Sequence, residues 1–268
     1  MVTPVITQEM TDEFLLGALG GVSKSQLIRT FREDYGCNDQ DINDLLNICN
    51  FRNAPRKINY KNFCNINITQ VGKRIQYPFT QLYLCENFLS QFECKALCNL
   101  IDTNLRPSTV ADPKDMGITS SYRTSKTADL NYFDHPIYSD VDKKISQIMG
   151  LDPFLGETMQ AQKYEPGQYY KEHWDFFPPT TKEYSVYCEW MGQRTWTAML
   201  YLNDVEAGGE TYFKHLKLKL KPKKGMLVAW NNLYKNGMPN IKTMHEALPP
   251  ISGDKYVITK WFRSYSLI

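Results

Sequence analysis

Beyond residue 156 the chain alternates apolar and polar positions in eight short runs, 158–164, 169–174, 195–203, 210–213, 216–220, 226–230, 243–247 and 256–264. A period of two predicts β-strands. Turn residues punctuate the runs at Pro166-Gly167, Gly208-Gly209, 222–225, 236–239 and Ser252-Gly253. Short strands at that rhythm describe an antiparallel sheet folded on itself, a jelly roll or barrel.

Upstream the period changes. A short strand is expected at 81–85. A helix follows over 90–105, opened by Ser90 with Glu93 three residues later, the spacing of a capping box. A second helix is expected over 136–149. Between them, 107–127 is rich in Ser, Thr, Asp and Gly and too long for a simple connection, which marks it as mobile or functional, a lid over a site being one option.

The first 75 residues differ in texture. Ser23-Lys24-Ser25-Gln26 resembles a capping box and opens a run with Leu27, Ile28 and Phe31 on one face, which Gly36 closes. A second run over 41–49 sets Ile42, Leu45, Leu46 and Cys49 at helical spacing. The stretch 50–74, with Arg52, Arg56, Lys57, Lys61, Lys73 and Arg74 among asparagines, reads as an irregular connector. Its charge fits a solvated face, with contact to an acidic partner as the alternative. The expected division is a helical appendage and connector, 1–75, ahead of a mainly β domain with flanking helices, 76–268.

Composition narrows the class. With 268 residues, 42% hydrophobic, 13% aromatic and 22% charged, the chain has the balance of a globular protein rather than a disordered or coiled-coil one. Lysine and arginine total 31 against 29 acidic residues, so a net charge of +2 supplies no global attraction to nucleic acid or membrane. No apolar run reaches membrane-spanning length and the N-terminus lacks the pattern of a secretory signal, so a cytoplasmic protein is expected. Seven scattered cysteines without a Cys-x-x-Cys pair fit neither a disulfide framework nor a zinc site. Cys94 and Cys98 read as neighbouring thiols on a helix.

Two of the four histidines carry the chemical argument. His173-Trp174-Asp175 ends an expected strand, so His173 and Asp175 project to one face and Trp174 to the other. His245, in another strand of the same barrel, is placed to add a third ligand across its mouth. Two imidazoles and one carboxylate leave coordination positions open and suit Fe(II) held for oxygen chemistry, whereas a structural zinc site would be closed by four protein ligands. Taken alone, His-x-Asp also occurs as a surface pair. Lys255 follows His245 by ten residues at the start of a strand, where a buried cation would pair with an anionic co-substrate. His215 precedes alternating lysines, Lys217, Lys219 and Lys221, the pattern of a solvent-facing edge strand, and is not a candidate ligand.

Several motifs occur in order: Tyr122-Arg123-Thr124-Ser125, Tyr164-Glu165-Pro166-Gly167, His173-x-Asp175, the block 201–211, Pro222-x-x-Gly225, His245 and Lys255. With them, residues 80–265 resemble the prolyl 4-hydroxylase family of iron(II)- and 2-oxoglutarate-dependent dioxygenases. The resemblance implies a double-stranded β-helix, a cupin-like jelly roll. It makes His173, Asp175 and His245 the iron ligands and Lys255 the partner of the distal 2-oxoglutarate carboxylate, with O2 as second co-substrate and ascorbate as reductant. Tyr164 matches a tyrosine that reaches 2-oxoglutarate and Tyr170 one facing the substrate, although both also suit a core. Thr197 is a candidate for the co-substrate pocket or a packed strand residue. Arg123 and Trp261 match positions near substrate or co-substrate. The chain departs from the family pattern in Trp174, where Phe or Tyr is usual, and in Phe262-Arg263, where the family has an aliphatic residue and histidine.

The expected function is hydroxylation of a prolyl residue in a peptide or protein, coupled to decarboxylation of 2-oxoglutarate to succinate. Free proline, another amino acid or a natural-product peptide are alternative substrates, and a non-catalytic binding or scaffold protein is an alternative of another kind. Segment 176–192, with Pro178, Pro179, Tyr184, Tyr187 and Trp190, is aromatic enough to grip a polyproline II ligand or to cap a small pocket.

Overall fold

The computed structural model describes residues 6–7, 10–11, 14, 24–48, 60–64, 66–68, 72–78, 80–109, 121–188 and 191–265. Helices α1 (Lys24–Glu33) and α2 (Asp39–Ile48) open the chain. Then come strands β1 (Lys73–Arg74) and β2 (Leu82–Cys85), helix α3 (Gln91–Asp102), strands β3 (Arg106–Pro107) and β4 (Lys126–Leu130), and helix α4 (Pro136–Met149). Next are β5 (Met159–Tyr164), β6 (Tyr170–His173), helix α5 (Lys182–Tyr187), β7 (Arg194–Tyr201), β8 (Ala207–Gly208) and β9 (Thr211–Phe213). Strands β10 (Leu218–Leu220), β11 (Leu227–Asn231), β12 (His245–Ala247), β13 (Pro250–Ser252) and β14 (Lys255–Arg263) complete the order. All eight expected strands after residue 156 form, to within about two residues at each end.

Eight strands make one antiparallel sheet in the order β1-β2-β11-β7-β14-β5-β4-β3, and four make a second in the order β10-β9-β12-β6. One core fills the space between them, with Met199, Tyr201, Val228, Trp230 and Val257 from the large sheet meeting Phe213, Leu220 and Ala247 from the small one. A second core lies on the outer face of the large sheet, where Trp196, Ala198, Leu200, Leu227, Ala229 and Ile258 meet Cys94, Leu97 and Ile101 of α3 and Tyr138, Val141, Ile145 and Met149 of α4. Strand β7 is therefore covered on both faces, which explains why its apolar run is nearly continuous rather than alternating. The architecture is a double-stranded β-helix backed by helices, as the sequence led us to expect.

The helices start where their caps are. Glu93 N donates to Ser90 Oγ at 3.2 Å and Ser90 N donates to Glu93 Oε2 at 2.9 Å, closing the capping box of α3. Helix α4 begins with Pro136 after a His135 cap and ends at Gly150, whose φ of 64° is the left-handed conformation that glycine adopts without strain. Gly208 and Gly209 both have φ of 75°, and a Cβ on Gly208 would lie 2.5 Å from the Pro249 carbonyl oxygen, so glycine is required here by close pairing of β8 with β13 rather than by the tight turn the sequence suggested.

Other expectations change. Of the stretch 107–127, residues 110–120 lie outside the described residues, while its end is ordered as part of β4, paired with β5. A hydroxyl ladder ties its two ends together, Ser108 Oγ lying 2.8 Å from Ser125 Oγ and 2.6 Å from Thr127 Oγ1. Ser23 and most of 50–74 also lie outside the described residues. Phe14, Leu27, Phe31, Ile42 and Leu45 pack with Met191, and Ile66 and Ile68 join the outer core of the large sheet. All six described cysteines are free thiols, Cys94 and Cys98 among them. No helix among the described residues is long and apolar enough to cross a membrane.

Candidate active site

Antiparallel pairing of β6 with β12 sets His173 directly opposite His245, with ring centroids 4.3 Å apart. Asp175, two residues past His173, turns back toward them, its Oδ1 4.0 Å from His173 Nε2. Among the described residues these three form the one group of histidine, cysteine and acidic side chains placed to share an ion, each offering a ligand atom within 4.8 Å of the others.

The backbone selects the tautomers. His173 Nδ1 lies 2.8 Å from the Lys171 carbonyl oxygen and His245 Nδ1 2.9 Å from that of Thr243. A carbonyl only accepts, so each Nδ1 carries the hydrogen and each Nε2 presents its lone pair. Burial holds the His173 pKa well below the ordinary imidazole range, and His245 alongside adds to the effect. Two neutral imidazoles and a carboxylate form a donor set that fits Fe(II) with positions left open.

Thr197 stands beneath the carboxylate. Its Oγ1 donates to Asp175 Oδ2 at 2.7 Å and accepts from Asn232 Nδ2 at 2.8 Å. In this structure the hydroxyl hydrogen of Thr197 is spent on Asp175, which gives the threonine a positioning role at the carboxylate. Thr197→Val is expected to weaken Fe(II) affinity about 10- to 100-fold, with Thr197→Ser restoring it, in anaerobic titrations.

Lys255 opens β14 beside Tyr164 at the end of β5. It is 1% exposed, and none of the described residues gives Nζ an ion pair or hydrogen bond. The rings of Tyr164 and Tyr201 have their centroids 5.1 Å and 5.7 Å from it. Burial lowers the Lys255 pKa to about 7, opposed only by the charge of Glu210. Val257, two positions from Lys255, and Ala247, two from His245, line the same cleft, as do Met199 and the three metal-type donors. An unpaired buried cation at one end of an apolar wall, with open metal positions at the other, fits a short dicarboxylic 2-oxo acid.

The remaining sequence candidates converge here. Tyr170 stacks on His173, centroids 3.6 Å apart and planes at 16°. Arg123 lies over the other part of that assembly, its guanidinium carbon 4.8 Å from the Tyr170 centroid and its Nε donating to Ser125 Oγ at 3.2 Å. Trp261 lines the cleft with its ring 4.0 Å from the Arg194 guanidinium carbon. Trp174 donates from Nε1 to the Ile241 carbonyl at 3.0 Å and also lines the cleft.

The hydropathy pattern missed a buried charge cluster. Arg194 opens β7 and Arg263 ends β14 opposite it. Glu157 Oε1 accepts from Arg194 Nε at 2.6 Å and pairs with Arg263 Nε at 2.5 Å, while Oε2 accepts from Arg194 Nη2 at 2.7 Å. Arg263 Nη1 also donates to the carbonyls of Tyr187 and Gly192, anchoring segment 176–192 to the sheet. Burial alone would raise the Glu157 pKa, but the two guanidinium groups bring it down to about 2. A carboxylate depressed in the folded state adds stability above its unfolded value of 4.5, and loses it as pH falls toward 2. Glu157→Gln is accordingly expected to cost about 3 kcal/mol at pH 7 and to remove the part of the acid sensitivity lying between pH 4.5 and 2, measured by denaturant unfolding.

Comparison with known proteins agrees with this geometry. Residues 159–263 match the family model of the 2OG-Fe(II) oxygenase superfamily. The chain is 35% identical over 175 residues to prolyl 4-hydroxylase subunit alpha-2 of Gallus gallus, a match covering 65% of this chain but 32% of that subunit. It is 29% identical over 263 residues to prolyl 4-hydroxylase 1 of Arabidopsis thaliana, covering 91% of each. It thus spans about a third of the animal subunit and nearly all of the plant protein. Among solved structures, a viral collagen prolyl hydroxylase of Paramecium bursaria Chlorella virus 1, determined as a 2OG complex, superposes with a TM-score of 0.54 at 27% identity, covering 68% of this chain and 95% of that one. With its His-Asp-His cluster and buried lysine on a double-stranded β-helix, the chain is similar to prolyl 4-hydroxylases of the 2OG-Fe(II) oxygenase superfamily.

Proposed function

We propose that this protein is a peptidyl-proline 4-hydroxylase, with His173, Asp175 and His245 holding Fe(II) and Lys255 pairing with the far carboxylate of 2-oxoglutarate. The observation that carries the reading is Lys255, a buried ammonium without a protein partner, in the same apolar-walled cleft as the three metal-type donors. Bound together, Fe(II) and 2-oxoglutarate activate O2 to hydroxylate an unreactive C–H bond, releasing succinate and CO2, chemistry that side chains do not supply.

The chain's own residues bind, orient and exclude water. Thr197 holds the Asp175 carboxylate, Tyr170 backs the His173 ring, and Tyr164 flanks the Lys255 ammonium. Arg194 bonds to Glu157 and reaches the Asp175 carbonyl from Nη1 at 3.4 Å, with the Trp261 and Phe177 rings against its guanidinium. That wall is aromatic and rigid, suited to a saturated five-membered ring. A cleft of about 1650 Å³ exceeds the range of about 300–1,000 Å³ usual for small-molecule sites and favours an extended peptide over a free amino acid.

The test is to incubate the protein with Fe(II), 2-oxoglutarate and ascorbate as reductant, admit O2 with proline-rich peptides or free proline, and follow succinate and substrate mass together. Succinate coupled to a one-oxygen gain on a peptide supports the proposal. The same gain on free proline alone moves the protein to amino-acid metabolism, and absence of Fe(II) and 2-oxoglutarate binding overturns the enzymatic reading in favour of a scaffold.

A further inference from the structure

Three large aromatic side chains on the lining of the cleft are exposed to solvent. Phe133 is 80% exposed, Phe154 57% and Tyr132 37%, and all three line the same cleft as His173 and Asp175. Topology puts them there. Strand β4 runs beside β5 with Leu130 opposite Met159, and the turn 131–134 leaves β4 at that point. Phe154 lies in the short turn Pro153–Leu155 just ahead of β5. Tyr132 and Phe133 meet edge to face, centroids 5.1 Å apart, so neither ring fills the other's outer surface.

The polar groups around this rim are paired with one another or with Tyr132 itself. Arg106 pairs with Asp129 at 2.5 Å, Asn131 donates to Asp134 at 2.8 Å, and Lys143 Nζ lies 5.6 Å from the Tyr132 centroid. Beside them the exposed faces of Phe133 and Phe154 remain as aromatic surface on the lining of the catalytic cleft. Single exposed aromatic residues are ordinary on protein surfaces, but a group of three opening onto a cleft is the form taken by sites that grip polyproline II helices.

The spacing suits a substrate residue away from the reacting one. Phe154 is three residues from Glu157, a reach of at most about 10 Å, and Arg194 alone bridges Glu157 to Asp175. Polyproline II advances about 3.1 Å per residue, so a chain with one proline at the metal would lay residues about three to five positions away across the rim. We propose that Tyr132, Phe133 and Phe154 form a docking subsite for a proline-rich, polyproline II segment of the substrate, distal to the residue that is hydroxylated. The assignment rests on the peptidyl hydroxylase reading for its occupant, but it is tested separately from turnover.

The experiment compares wild type with the double variant Phe133→Ser, Phe154→Ser, both positions being exposed enough to leave the melting temperature unchanged. In fluorescence anisotropy with a labelled proline-rich peptide of about 12 residues, the variant is expected to bind about tenfold more weakly, two aromatic contacts being removed. KM for the same peptide should rise by a similar factor, with kcat, the KM for 2-oxoglutarate and kcat/KM for a peptide of about three residues unchanged. Weaker binding by the variant supports the subsite even where no peptide tried is hydroxylated, the result that would instead count against the function proposed above. Equal binding by both proteins, no binding by wild type, or a wild-type dimer that the variant dissociates, seen by sedimentation, overturns it, the last by showing that a second copy covers the rim.

Discussion

Lys255→Met is expected to weaken 2-oxoglutarate binding at least about thirtyfold while leaving the free protein as stable as before, or more so. Removing one partner of a desolvated charge pair costs about 2–5 kcal/mol, and each 1.4 kcal/mol is tenfold in affinity. The gain in stability has the same origin. In the free protein the Lys255 ammonium is 1% exposed with no counter-ion in contact, and burial lowers its pKa from 10.5 to about 7. The unfolded chain binds this proton up to pH 10.5, so the penalty is absent above that pH, grows as pH falls, and is complete below about 7. A methionine of similar length fills the space without the charge and is worth about 1–4 kcal/mol on the pattern of buried charges replaced by apolar groups. The same proton governs the co-substrate. Above pH 7 the lysine must take up a proton to meet a carboxylate, so 2-oxoglutarate affinity falls by up to about tenfold per pH unit, a dependence the methionine variant lacks. Calorimetric titration of 2-oxoglutarate between pH 6.5 and 9 and denaturant unfolding of both proteins check the two halves. Unaltered affinity in the variant would place the co-substrate elsewhere.

The sequence carried much of this site because its parts obey local rules. Strand alternation picked out His173 and Asp175 as a pair, although the strand ends at His173 and a bend brings Asp175 back to it, and Lys255 is identified by its distance from His245 within a family pattern. The eight strands were readable because turn residues bound each of them, and α3 and α4 because Ser90, Glu93, Pro136 and Gly150 mark their ends. What escaped was non-local. Arg194 and Arg263 sit at strand ends, where a charged residue ordinarily marks solvent, and only the pairing of β7 with β14 brings them onto Glu157. Arg263 stood out as a departure from a family histidine, but its hold on the carbonyls of Tyr187 and Gly192 depends on the course of segment 176–192. Strand β4 escaped as well, since its run Lys126–Leu130 adjoins a polar stretch and owes its order to pairing with β5. Thr197 was found as a pocket candidate, but a strand threonine gives no sign that its hydroxyl will meet Asp175.

His173→Ala is expected to abolish Fe(II) binding and turnover together, at a cost in stability of only about 1 kcal/mol. The imidazole is one of three donors around a common point, and without it His245 and Asp175 retain two positions, too few to hold a divalent ion against water. Loss of even an outer hydrogen-bond partner costs about 10- to 100-fold in metal affinity, so removal of a ligand should exceed that. The fold has less at stake. His173 ends β6, in the smaller sheet, keeps 14% of its side chain exposed, and contributes chiefly its stack on Tyr170 and contact with His245. Anaerobic Fe(II) titration, succinate release and denaturant unfolding on one preparation distinguish a lost ligand from a lost fold. His215→Ala, on the lysine-flanked turn after β9, should change none of the three. Lys255→Met completes the separation: it should keep the metal and lose the co-substrate, whereas His173→Ala should lose the metal and thereby the ordered binding of 2-oxoglutarate. Normal succinate production by His173→Ala would refute the metal assignment, because no other group of described residues offers a comparable set of donors.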